Sequence, residues 1–178
     1  MTEKLSNELE KRCQDLEENL KVVRENIAQA ALRAGKKESE VTLLAATKTV
    51  PVEVINYGIQ LGIAHIGENR VQELLSKIDD LSPCDRQFIG HLQTNKVRQL
   101  VGKVSMIQSV DSVKLAQEIS KISEQKGLYT DILIEVNIGR EENKSGIAPE
   151  KLEDLLYEIA PYPGIKIRGL MAIPSVSE

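Results

Sequence analysis

Lys48 is the residue with the clearest chemical potential. It leaves the run Val41–Val50, V-T-L-L-A-A-T-K-T-V, which passes from apolar and β-branched residues into Thr47-Lys48-Thr49 and then Pro51. A short apolar run bounded by polar residues and a proline reads as a buried parallel strand. An amine at such a strand exit, with apolar walls behind it, has the ingredients of a Schiff-base lysine. Desolvation disfavours the ammonium and keeps more free amine available near neutral pH. A solvated lysine at a strand end is the plainer alternative.

Other polar residues fall at comparable places: Glu68-Asn69-Arg70, His91 after Ile89-Gly90, Ser109, Asp111, Asn137, the loop Gly139–Gly146, and Met171. Each also has a structural reading. Glu68 can charge the N-terminus of the next helix. Asn69 can cap that helix, and Asp111 with Ser112 the helix that follows them. His91 can be a satisfied structural histidine. Met171 can fill core, and the loop can be a lid or merely exposed. The collection is more specific than any member of it.

The elements that would position these residues alternate along the chain. A first helix spans about Leu5–Ala34, with Leu5, Leu9, Leu16, Leu20, Val23 and Ile27 at three- and four-residue steps and Gly35 as its C-cap. Strands are predicted at Thr42–Ala46, Ile63–Gly67, Gln87–Gly90, Val104–Val110, Asp131–Asn137 and Ile165–Ile173. Helices are predicted at Val52–Leu61, Asn69–Ile78, Thr94–Leu100, Ser112–Lys126 and Pro149–Ile159, the last opened by its proline. Such β-α alternation predicts an α/β protein with a parallel sheet, either an open doubly wound sheet or a (β/α)8 barrel. The dinucleotide-binding version of the former expects a Gly-rich turn after strand one, and K-T-V-P-V contains no glycine. In a barrel, the strand C-termini carry the functional residues.

Composition narrows the partners. The 178-residue chain carries a net charge of −4, 3% aromatic residues and no tryptophan. No basic stripe dominates and the few aromatics argue against a stacking platform, so nucleic acid is not an expected partner. No apolar run approaches a membrane span, and the N-terminus lacks a hydrophobic signal region, so a cytoplasmic protein is expected. Cys13 and Cys84 have no CxxC spacing and read as free thiols in a reducing compartment. His65 and His91 offer no metal-binding cluster.

Six ordered segments carry a family resemblance: A-A-T-K-T-V-P, H-I-G-E-N-R-V-Q-E-L, F-I-G-H-L-Q-T-N-K, I-Q-S-V-D-S, I-E-V-N-I-G-R-E-E-N-K-S-G and I-R-G-L-M-A-I-P. From about Val41 to Ser175 the chain resembles the pyridoxal 5′-phosphate (PLP) homeostasis proteins, which are similar to the N-terminal barrel of alanine racemase. The resemblance implies a (β/α)8 barrel of that type, with an extra N-terminal helix. It implies PLP held as an internal aldimine on Lys48, with Asn69, His91 and Met171 near the cofactor and Lys144 at the pocket mouth. Where family members read S-K-T-K-P, the second lysine is Val50 here.

The function so implied is carriage or buffering of PLP without catalysis, by a monomer, with apo PLP-dependent enzymes as candidate recipients. A PLP-dependent amino-acid racemase is the rival. It needs two bases flanking the substrate carbon, and alanine racemase takes its second from a tyrosine of a separate domain. Tyr57, Tyr129, Tyr157 and Tyr162 fall in or beside predicted helices. A barrel binding another phosphate ligand without a covalent link is a further alternative. Residues 1–178 are expected to form one barrel domain holding six of the eight βα units, incomplete at its C-terminus. In the family the later strands supply most phosphate contacts.

Overall fold

The computed structural model describes residues 2–141 and 144–174. A long helix α1 (Thr2–Arg33) comes first, followed by β1 (Leu44–Ala46), α2 (Val52–Gln60), β2 (His65–Glu68), α3 (Val71–Lys77) and β3 (Asp85–Phe88). Then come α4 (Val97–Leu100), β4 (Met106–Val110), α5 (Val113–Gln125), β5 (Thr130–Glu135), α6 (Leu152–Ile159) and β6 (Ile165–Met171). Every neighbouring strand pair is parallel, and the six strands lie in sequence order. A doubly wound sheet reverses its order at a switch point. This sheet does not, so the open doubly wound alternative falls and the winding of a β/α barrel remains.

α1 ends as its glycine predicts. Gly35 takes φ +66°, the Lys36 N–H donates to the Ala31 carbonyl and the Gly35 N–H to that of Leu32. This is a Schellman closure, which a glycine enters without steric cost. The helix then packs through Leu16 and Leu20 against Ile55, Ile63 and Ile66. Val50, in place of the family's second lysine, packs against this same cluster.

The larger core lies between the sheet and α3–α6. Leu74, Phe88, Val97, Leu100, Ile107, Ile119, Ile132, Ile134 and Ile159 are all fully buried there. Each such side chain contributes about 1.5–3 kcal/mol by leaving water. Ser112 caps α5 as expected, its hydroxyl accepting from the Leu115 N–H at 3.4 Å. Pro149 opens a 3-10 turn (Pro149–Lys151) that leads into α6.

Several boundaries differ from the sequence reading, each for a local reason. β3 begins at Asp85 because that residue pairs with His65, in register and through a 2.7 Å side-chain contact. β5 ends at Glu135 because the Asn137 N–H turns to the Ile147 carbonyl and leaves the ladder. α3 begins at Val71 with Arg70 at its N-cap position, so Asn69 does not cap it.

Candidate functional site

Lys48 stands two residues beyond β1 and is exposed rather than desolvated as expected, because β1 itself is not buried: Leu44 and Ala45 are half-buried and Ala46 is exposed. Thr47 before it is buried; its N–H donates to the Gly67 carbonyl, and its hydroxyl donates to Glu68 Oε1 at 2.8 Å. Glu68 is 1% exposed and also accepts from Lys77 Nζ at 2.8 Å. Lys77, in the last turn of α3, donates to the Thr47 carbonyl at 3.0 Å and to Glu73 Oε1 at 2.6 Å. Burial opposes the Lys77 charge, but hydrogen bonds to Glu68 and Glu73 outweigh it and raise its pKa above the ordinary lysine value. The hydrogen bond from Lys77 holds the Glu73 carboxyl below its ordinary value.

This corrects one reading of Glu68. Its carboxylate does not serve the α3 N-terminus; it meets the lysine at that helix's far end. Lys77, Glu73 and Thr47 were not singled out by sequence reasoning. The one available signal was the four-residue spacing of Glu73 and Lys77, which puts them on one helix face.

Along the C-terminal sheet edge lies a cavity of about 200 Å³ lined by Asn69, Gly90, His91, Glu135, Asn137 and Lys144, among others. Asn69, His91 and Lys144 thus line one cavity. Lys48 and Met171 do not line that cavity. Met171 ends β6 in register with Glu135, and Lys48 follows β1, the neighbour of β2 in the sheet. Asn69 Oδ1 and Ser109 Oγ are buried and have no hydrogen-bond partner among the described residues. Gly90 lies against Asn69 so closely that a Cβ there would sit 2.1 Å from the Asn69 carbonyl oxygen.

Glu135 was also missed, although period-two alternation places Asp131, Leu133 and Glu135 on one strand face. It is 8% exposed at the cavity wall. Burial pushes its carboxyl above the ordinary range; Asp111 adds to the shift and His91 opposes it. Asn137 organises its own loop: its Nδ2 donates to the Glu141 carbonyl at 2.8 Å and its Oδ1 accepts from the Glu141 N–H at 3.2 Å. Lys144 pairs with Glu141 at 2.6 Å.

Comparison with known proteins agrees with this architecture. The family described as "Alanine racemase, N-terminal domain" matches residues 14–178. A "Pyridoxal phosphate homeostasis protein" of Aquifex aeolicus is 47% identical over 163 residues, covering 90% of this chain and 72% of the relative. A crystal structure of an unknown protein from Bifidobacterium adolescentis superposes with TM-score 0.85 at 33% identity, covering 94% of this chain and 73% of the other. The PipY protein of Synechococcus elongatus, solved with PLP bound, superposes with TM-score 0.72 at 32% identity, covering 85% and 72%. A six-stranded parallel sheet in sequence order, under this family match and these identities, has one assignment: the chain belongs to the alanine racemase N-terminal domain family and, within it, to the pyridoxal phosphate homeostasis proteins.

Proposed function

We propose that the protein binds PLP through Lys48 and serves intracellular PLP homeostasis by holding and releasing the cofactor. The observation that carries this is Lys48 itself: an exposed amine at the C-terminal end of β1, next to buried Thr47, whose hydroxyl and carbonyl are both anchored by hydrogen bonds. PLP supplies an aldehyde that condenses with a primary amine, together with a phosphate and polar ring substituents. The residues present fit it. Asn69 Oδ1 and Ser109 Oγ are polar atoms at the same sheet edge with no partner among the described residues, and burial without a partner is costly unless a ligand completes it. Gly90 keeps the backbone beside Asn69 free of any side chain. Asn69 and His91 are assigned as contacts to the cofactor, Met171 as its lining from β6, and Lys144 as a cation at the mouth.

The protein is assigned no catalysis of its own. A racemase needs a second base facing Lys48. Tyr57 donates to Glu17 of α1 at 3.0 Å, which supports a packing role for it. Tyr129 and Tyr157 are exposed outside the cavity lining, and Tyr162 lies against the α5 surface groove. Among the described residues no helix is long and apolar enough to cross a membrane. We assign residues 1–178 to one cofactor-binding unit, working as a cytoplasmic monomer with apo PLP-dependent enzymes as recipients.

The test is spectroscopic and enzymatic together. Purified protein mixed with PLP should gain a visible absorption band that survives dialysis and disappears with borohydride. Incubation with L- and D-alanine should give no turnover approaching the usual enzymatic median of about 10 per second. Racemisation at such a rate would overturn the non-catalytic reading; absence of the band would overturn PLP binding through an amine.

A further inference from the structure

The two peptide groups that flank Lys48 are held by one cluster, made of buried Glu68 and Lys77 with half-buried Glu73. The carbonyl joining Thr47 to Lys48 accepts from Lys77 Nζ at 3.0 Å. The N–H joining Lys48 to Thr49 donates to Glu73 Oε1 at 2.5 Å. Glu73 Oε1 and Glu68 Oε1 both accept from Lys77, at 2.6 and 2.8 Å, and Glu68 also accepts from the Thr47 hydroxyl. The three donors of one ammonium are all directed into this cluster.

Thr49, on the far side of Lys48, takes φ +61°. A β-branched residue rarely enters that region, and such strain persists where the surroundings over-determine it. The cluster is also a poor device for stability alone. Buried ion pairs are often matched or exceeded by apolar residues of similar size, and Glu68 Oε2 remains buried without a partner among the described residues. A costly clamp and a strained residue thus bracket one exposed lysine.

We propose that Lys77, with Glu68 and Glu73, is the positioning group that aims the Lys48 amine for covalent capture of PLP. The inference rests on the assignment of Lys48 above. In the step it serves, the free-base amine nitrogen of Lys48 bonds to the aldehyde carbon. The aldehyde oxygen leaves as water with the two amine hydrogens, and a carbon–nitrogen double bond remains. Lys77 touches neither reactant; it acts by fixing the peptide groups from which the Lys48 side chain departs, so the amine is presented without a search over backbone conformations.

The experiment compares wild type, Lys77→Met, Glu73→Ala and Lys126→Met in the full-length protein. Lys126 is the control, a lysine of similar architecture that donates to the Val101 carbonyl at 2.6 Å and the Arg98 carbonyl at 3.1 Å, away from the site. PLP is the probe. The readouts are the apparent rate of appearance of the visible band, its pH profile, PLP affinity and the melting temperature of the PLP-free protein. Lys77→Met and Glu73→Ala should slow attachment and weaken PLP about tenfold or more, in line with loss of a charge-assisted hydrogen bond. They should also displace the pH profile of attachment. Lys126→Met should lower melting temperature and leave rate, profile and affinity alone. If Lys77→Met does not fold, Glu73→Ala carries the test, because Glu73 is the more exposed partner.

Wild-type rate, profile and affinity in the folded variants would overturn the inference even if their melting temperatures fall. Peptide mapping after borohydride separates the two claims. Label on Lys48 with unchanged kinetics in the variants overturns the positioning role alone; wild-type label on another lysine overturns both.

Discussion

Gly90 and Asn69 meet backbone to backbone: a methyl group at position 90 would lie 2.1 Å from the Asn69 carbonyl oxygen and 2.6 Å from its Cα. The contact joins the ends of β2 and β3, where the Ile89 N–H donates to the Glu68 carbonyl. It thereby sets the position of Asn69 at the cavity wall.

Gly90→Ala is therefore expected to force the two strand ends apart. Overpacking of this kind costs about 1–3 kcal/mol, and melting temperature should fall by several degrees, at about 2–4 °C per kcal/mol for a chain of this size. PLP affinity should fall with it. Gly164→Ala is the comparison, because its Cβ would lie 2.1 Å from the carbonyl oxygen of Ser120, and neither residue lines the cavity. That variant should melt earlier with its PLP affinity intact. Equal loss of affinity in both would show that Gly90 acts only through global stability.

Asn69→Ala and His91→Ala should separate binding from folding. Asn69 Oδ1 has no hydrogen-bond partner among the described residues and His91 is exposed, so truncation removes little that supports the protein. Each should weaken PLP or shift its absorption band, and the melting temperature of the PLP-free protein should change by less than about 2 °C. Strong destabilisation with unchanged PLP binding would return both residues to structural roles.

Glu135 gives a pH-dependent prediction. Burial raises its carboxyl pKa, so the folded value lies above the unfolded one. A raised value means that the stability it contributes is present below the unfolded carboxylate pKa and is lost as pH rises through the folded value. Glu135→Gln removes this penalty. The variant should melt higher than wild type at pH 7.5, with the advantage shrinking to nothing as pH falls to about 4, near the ordinary Glu pKa. A constant difference across that range would contradict it.

The winding was legible because β-α alternation sets a parallel sheet, and the place of Lys48 followed from one apolar run ending in T-K-T. The support beneath Lys48 was not legible. Glu68 and Lys77 are separated by nine residues and by a strand-to-helix turn, and a sequence pattern shows neighbours on one element only. Glu68-Asn69 looked like a helix start because acidic and amide residues favour that place. The fold instead directs Glu68 to the end of α3 and leaves Asn69 Oδ1 without a partner among the described residues. Asn137 was read as the end of a strand, yet its N–H bonds to Ile147, a tertiary choice that propensity does not register.

Borohydride reduction of the PLP-loaded protein, followed by digestion and mass mapping, tests the central assignment most directly. The reduced pyridoxyl phosphate group is expected on the peptide carrying Lys48, with loss of both the label and the visible band in Lys48→Ala. Label on Lys144, Lys77 or any other lysine, with the band retained in Lys48→Ala, would contradict it.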